Sequence, residues 1–215
     1  MDTRFLPHNV HWEDHASFEA FDPSLRQLKK QSFVHEPALL QDLPRHLPGI
    51  YSLTGGRQVG KTTLLKQWMS ELLSARIPPK AIVYITGELI DDQHSLVKII
   101  TDLLGEMDIP AKGVQYVLVD EVTYIKNWDK GLKYLADSGM LEEVVLIFTG
   151  SDTAVIQQAR TRFPGRRGNV AAPDFHLYPL SFREATGLKT GLSPAELSEL
   201  SKDPRVAYGH LGHHL

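Results

Sequence analysis

Residues 55–62 read Gly55-Gly-Arg-Gln-Val-Gly60-Lys61-Thr62, a G-x-x-x-x-G-K-[ST] run that begins where the apolar stretch 50–54 ends and leads into an amphipathic one. So short a pattern gains weight from its flanks, and a strand before and a helix after are the context it requires. Glycine lets the backbone turn tightly, so that several N–H groups and the positive end of the helix face one anion. Lys61 then neutralises β/γ-phosphate charge, and the Thr62 hydroxyl is suited to magnesium. Gly55, Gly56, Arg57, Gln58, Val59, Gly60, Lys61, Thr62 and Thr63 are therefore the candidate nucleotide-binding residues, Lys61 also catalytic and Thr62 also a metal ligand. The bland alternative, a glycine-rich turn with a chance lysine, is weaker given both flanks.

Outward from this loop, branched apolar runs recur at 81–86, 114–119 and 143–149, separated by longer amphipathic stretches. That alternation predicts an α/β fold with a parallel sheet. Leu64, Leu65, Trp68 and Leu72 form one stripe at helical period, and Ile125, Trp128, Leu132 and Leu135 form another. Both tryptophans are expected in the core. The run Tyr116-Val-Leu-Val119 leads into Asp120-Glu121, which sets two acids at the carboxyl end of a strand, where open α/β sheets bind ligands. Asp120 is the candidate magnesium carboxylate; Glu121 is the candidate that orients or deprotonates the attacking water. The 81–86 run lies between the loop strand and the Asp-Glu strand along the chain, which predicts a strand inserted between them in the sheet. The 143–149 strand ends in Phe148-Thr-Gly-Ser-Asp152, so Thr149 and Ser151 reach the same edge as candidate catalytic residues; a simple turn is the competing reading. Four arginines follow, Arg160, Arg162, Arg166 and Arg167. They suit phosphate charge, a nucleic-acid backbone, or a solvated loop.

Composition narrows the classes. The 215 residues carry 42% hydrophobic and 23% charged side chains, ordinary for a globular protein. A net charge of -3 and an isoelectric point near 6.4 give no overall attraction to nucleic acid or anionic membrane. No cysteine is present, which excludes disulfides and thiolate metal sites and fits a reducing cytoplasm. The amino terminus lacks the apolar run of an export signal, and Val144–Phe148 is far shorter than the roughly 20 residues of a membrane helix. A soluble, cytoplasmic protein is expected. His8, His11 and His15, and likewise His210, His213 and His214, offer no convincing metal set.

Residues 1–49, punctuated by five prolines, are expected to form a helical lead-in, with Asp22 capping a helix that has Pro23 in its first turn. Residues 50–182 form the expected core. Phe175-His-Leu-Tyr-Pro-Leu180 offers a last strand, and 183–215 a helical segment and tail. There Ser193, Pro194 and Glu196 carry a capping-box signature for a helix reaching about Ser201.

An inserted strand with a glutamate beside the acidic metal ligand resembles the additional-strand, catalytic-glutamate branch of P-loop proteins, which includes the AAA+ ATPases. No N-K-x-D guanine signature occurs, so ATP is favoured over GTP. More narrowly, the chain resembles the bacterial and archaeal ATPases of the AAA domain 14 type over about residues 35–185. The likeness rests on the G-x-R-Q-V-G-K-T-T loop, the Asp-Glu and Thr-Gly-Ser strand ends, Gly165-Arg166, and Leu177-Tyr-Pro-Leu-Ser-Phe182 with Glu184. It implies a three-layer α/β/α P-loop fold with a mainly parallel five-stranded sheet. It also implies that the polar residue at the fourth strand end senses the γ-phosphate. Arg166 becomes an arginine finger or sensor, acting within the chain or on a neighbouring subunit. Such ATPases usually precede a nuclease-like domain of unknown function. Two departures stand out: Gly56 replaces the family's common proline, and only 33 residues follow Phe182, as in a truncated core.

Magnesium-dependent ATP hydrolysis that moves a partner or attached domain, in a homo-oligomer or with a partner protein, is the expected function. The competing readings are a small-molecule kinase, a non-hydrolysing ATP switch, and a DNA-associated ATPase that uses the arginine cluster.

Overall fold

Side chains along the apolar runs point alternately to opposite faces, and each face meets its own layer of helices. The computed structural model describes residues 2–14, 16–31, 34–109, 113–160 and 173–200. Three short helices, α1 (Phe18–Phe21), α2 (Pro23–Lys29) and α3 (Leu39–Asp42), lead into β1 (Gly49–Thr54). The chain continues through α4 (Lys61–Ser74), β2 (Ile82–Thr86), α5 (Gln93–Glu106), β3 (Gln115–Asp120) and α6 (Trp128–Asp137). It then passes through β4 (Val144–Gly150), α7 (Thr153–Arg160), β5 (Asp174–His176), α8 (Phe182–Thr190) and α9 (Pro194–Leu200).

The strands order as β2-β3-β4-β1-β5, and every described pairing is parallel. On one face Ile50, Val83, Ile85, Val117, Val119, Leu146 and Phe148 pack against α5, α6 and Ile156 of α7. On the other, Tyr51, Leu53, Tyr84, Tyr116, Leu118, Val145 and Ile147 pack against α4 and the lead-in residues Phe18, Leu25, Leu40 and Leu43. Helix, sheet and helix make the three layers expected of the sequence, with Trp68 and Trp128 inside them.

Two details differ from expectation. A strand does separate β1 from β3, but it is β4; the 81–86 run forms β2 at the sheet edge. Order along the chain does not give order in space. The crossover through α4 carries the chain past two strand positions, which β3 and β4 fill on the way back. The last strand is also shorter than the 175–180 run. Pro179 has no N–H to give a ladder, and Tyr178 and Leu180 point into solvent.

The lead-in closes the β2 edge with side chains. Asn9 donates to the Tyr84 carbonyl at 2.7 Å and accepts from the Tyr84 N–H at 2.7 Å, as a neighbouring strand would. Trp12 Nε1 and His11 Nε2 both donate to the Ile82 carbonyl, at 2.7 and 2.9 Å. Burial pushes the His11 imidazole down to about 4, so it is neutral at physiological pH. Asp22 caps α2 as the sequence indicates, accepting from the Ser24 and Leu25 N–H groups. Its second oxygen lies 3.2 Å from the buried Lys66 ammonium of α4.

Removing one member of a buried pair strands the other charge. Lys66→Met should lower the unfolding free energy by about 3 kcal/mol at neutral pH, measured by urea denaturation; a loss below ~1 kcal/mol would contradict the pairing. Burial pulls the Lys66 ammonium down from 10.5 to about 8, against the opposing pull of Asp22. Between those values the unfolded chain holds a proton that the folded chain has released. Stability contributed by this group therefore rises with pH across that window, a slope the methionine variant lacks.

Candidate functional site at the carboxyl edge of the sheet

β1 delivers the 55–60 loop to the edge where β3 and β4 also end, because all three run parallel in adjacent register. The loop turns through left-handed backbone at Gln58 (φ 60°) and Gly60 (φ 99°) and enters α4 at Lys61. No side chain caps that helix, and its first N–H groups have no partner within the helix. Such a helix start is a candidate anion seat. Gly55 must be glycine for a steric reason: a Cβ there would stand 2.5 Å from the Leu177 carbonyl oxygen. The Leu177 N–H donates to Thr54 at 2.8 Å, so the chain leaving β5 lies against the start of the loop. Val59, partly buried, packs its side chain against the core beneath the loop. Arg57 and Gln58 line an open cleft of about 900 Å³ together with Glu88, Glu121 and Ser151.

The charged residues meet at the floor of this edge. Lys61, nearly buried, donates to the carbonyls of Gly55 (3.1 Å) and Gly56 (2.9 Å) and to Ser151 Oγ (2.8 Å). Its ammonium is 3.7 Å from Glu121 Oε1, which also accepts from Ser151 Oγ at 2.7 Å. Asp120, likewise buried, accepts at Oδ2 from Thr62 Oγ1 at 2.6 Å and from the Tyr84 hydroxyl at 2.6 Å. Its Oδ1 accepts from the Thr149 hydroxyl. Thr149 Oγ1 in turn accepts from the Glu121 N–H at 2.9 Å. Glu121 adopts left-handed backbone (φ 51°), which turns its side chain out of the β3 line toward Lys61 and Ser151.

Strand alternation explains who meets whom. Asp120 shares a face with Tyr116 and Leu118, and Thr149 with Val145 and Ile147, so both look toward α4. The structure thus brings together Lys61, Thr62, Asp120, Glu121, Thr149 and Ser151, six residues spread over 91 positions of the chain, with Thr63 beside them in the first turn of α4. It also separates the two polar residues of the fourth strand end. Thr149 is fully buried behind Asp120, whereas Ser151 stands in the cleft. Hard oxygen donors from Thr62 and Asp120, already within 2.6 Å of each other, are a donor set that fits Mg²⁺. Arg166, Arg162 and Arg167, the Arg160 side chain, His15 and His210, His213 and His214 lie outside the described residues. Among the described residues no cluster of three or more His, Asp or Glu could hold a metal by itself.

Two residues of this site carry no sequence motif. Tyr84 reaches Asp120 from β2, and burial followed by the neighbouring carboxylate pushes its ionisation well above the ordinary phenol value, so it is a hydrogen-bond donor. Gly87 follows β2 and packs under Glu121, where a Cβ would stand 2.4 Å from the Glu121 carbonyl oxygen. A glycine directly after an apolar run was the available signal for the second; the first needed the strand order.

A loop of this form after β1, acids at the end of β3, and a strand between β1 and β3 are the features of the additional-strand branch of P-loop proteins, which includes the AAA+ ATPases. A family model described as an AAA domain, of the 14 type, matches residues 48–186, and the chain belongs to that family. An uncharacterized protein of Haemophilus influenzae is 27% identical over 161 residues, covering 73% of this chain and 38% of its own length. The chain thus spans well under half of this curated relative. Among solved structures, Cdc6p of Pyrobaculum aerophilum superposes with a TM-score of 0.47 at 18% identity, over 69% of this chain and 47% of that one. Trip13 of Rhizobiales gives 0.44 at 18%, over 91% and 72%. The Aeropyrum pernix Orc1 protein, solved in complex with DNA, gives 0.46 at 15%, over 90% and 50%. Among the described residues no helix is long and apolar enough to cross a membrane.

Proposed function

We propose that this chain binds ATP with magnesium and hydrolyses it, and that the cycle changes the conformation of a partner or an attached domain. The observation that carries this reading is the convergence of Lys61, Ser151 and Glu121 beside the Thr62–Asp120 pair, at the mouth of a loop shaped for phosphate. Backbone N–H groups of 55–63 hold the phosphates and Lys61 their charge. Thr62 and Asp120 hold Mg²⁺, which when bound neutralises charge on the phosphate oxygens. Glu121 takes the proton of the attacking water or orients it. Ser151, exposed to the cleft and bonded to both Lys61 and Glu121, suits the γ-phosphate-sensing role, and Thr149 suits holding Asp120. Arg166 is the candidate for transition-state charge, from this chain or a neighbour. We further read 1–49 as a lead-in, 50–182 as the ATPase core and 183–215 as a helical segment, acting in the cytoplasm.

Glu121 is held by both Ser151 and Lys61, and that contact favours a second reading, a nucleotide-dependent switch with slow or absent turnover. Steady-state ATP hydrolysis with Mg²⁺ over a range of protein concentrations distinguishes the two. Turnover whose specific activity climbs with concentration supports an ATPase completed by a neighbouring copy; constant specific activity supports a self-sufficient one. Tight ATP binding with no turnover at any concentration would overturn hydrolysis in favour of the switch.

A further inference from the structure

We infer that Tyr84 is a positioning residue for the Asp120 carboxylate, seated by Lys66 and the lead-in, and that it sets how strongly magnesium supports nucleotide binding. This rests on the reading of Asp120 as the metal carboxylate.

The sheet register makes the contact a consequence of the fold. Thr86 pairs with Asp120 and Tyr84 with Leu118, so Tyr84 lies two residues back along the neighbouring strand on the same face as Asp120. A side chain of phenol length reaches diagonally across that spacing. The result is a carboxylate with three hydroxyl donors, Thr149 on Oδ1 and both Thr62 and Tyr84 on Oδ2. Thr62 has a second task, since the same oxygen is the candidate metal ligand. Tyr84 and Thr149 are the donors with no such competing role. Metal-binding carboxylates are commonly oriented by partners of this kind.

The ring itself is clamped from outside the site. The Lys66 ammonium sits 3.6 Å from the Tyr84 ring centroid, a cation–π distance. Lys66 also donates to the His8 carbonyl at 2.8 Å and pairs with Asp22, both lead-in residues. Asn9 fixes the Tyr84 backbone through both its N–H and its carbonyl. The His8 ring packs against the same phenol with centroids 5.5 Å apart. Four contacts from the lead-in and α4 therefore terminate on one tyrosine, whose hydroxyl ends on Asp120.

Tyr84→Phe removes the hydroxyl and keeps the ring, the cation above it and the backbone clamp, so the variant should fold. ATP binding would be measured by calorimetry in EDTA and again during a Mg²⁺ titration. Binding in EDTA should match wild type, while the Mg²⁺ concentration for half-maximal enhancement should rise about tenfold. An unchanged Mg²⁺ midpoint overturns the inference. Equal weakening with and without Mg²⁺ also overturns it, because a merely structural tyrosine behaves that way. If the wild-type chain itself binds no ATP, or binds it with no Mg²⁺ effect, the underlying reading of the site fails, and that failure is visible before any variant is compared.

Discussion

Glu121→Gln should lower the steady-state rate of ATP hydrolysis by about 10²–10⁴-fold while leaving ATP binding intact or tighter. The geometry separates these two effects. Glu121 Oε1 accepts from Ser151 at 2.7 Å, and an amide oxygen in the same place still can. The left-handed backbone at Glu121 depends on the close approach of Gly87 and the bond from its N–H to Thr149, neither of which involves the carboxylate. What glutamine loses is the negative charge and the ability to take a proton. The first loss removes an anion 3.7 Å from Lys61, where it opposes a second anion such as a terminal phosphate. The second removes the base. A coupled assay for turnover and a fluorescent ATP analogue for affinity measure the two independently. A variant that hydrolyses ATP within about threefold of wild type would assign Glu121 to structure rather than to catalysis.

How much of this site could be read from the sequence depends on how local each part is. The loop and α4 are contiguous, so spacing alone names Gly55 to Thr63, and the buried stripe of Leu64, Leu65, Trp68 and Leu72 follows from helical period. Asp120 and Thr149 were legible one strand at a time, because the end of an apolar run marks the edge of the sheet. Their contact was not, since it requires β3 beside β4. The inserted strand shows the same limit: that one exists was readable, and that it is β4 rather than the 81–86 run was not. Tyr84 is the clearest case. In sequence it is one aromatic in a buried strand, equivalent to Tyr51 or Tyr116, and only the β2–β3 register gives it Asp120 as a partner. Resemblance motifs also carried structure as well as chemistry. Glu184, part of the segment shared with the family, forms a capping box with Ser181 at the start of α8, and Leu177 supplies the carbonyl that holds Gly55 to glycine.

Lys61→Ala should behave differently from the glutamate variant, losing both binding and turnover. The Lys61 side chain is 4% exposed and its ammonium is held by two loop carbonyls and Ser151, so its position is set before any ligand arrives. A hydrogen bond to a charged group contributes about 1.5–3 kcal/mol, so losing the contacts that this ammonium can offer to phosphate should weaken ATP at least ~10-fold. Stability of the unliganded chain should change little by comparison. Alanine gives up three hydrogen bonds, but it also relieves the desolvation of a buried cation, and the fragment of loop it unties is short. Thermal unfolding with and without Mg-ATP then reads binding directly. A ligand at 100 times its dissociation constant adds about 2.7 kcal/mol to the folded state. Wild type and Glu121→Gln should both show that upward shift in melting temperature, and Lys61→Ala should show at most about half of it at the same nucleotide concentration. If the alanine variant is stabilised as much as wild type, the nucleotide is not held by this loop, and the convergence of Lys61, Glu121 and Ser151 would have to serve some purpose other than gripping a phosphate.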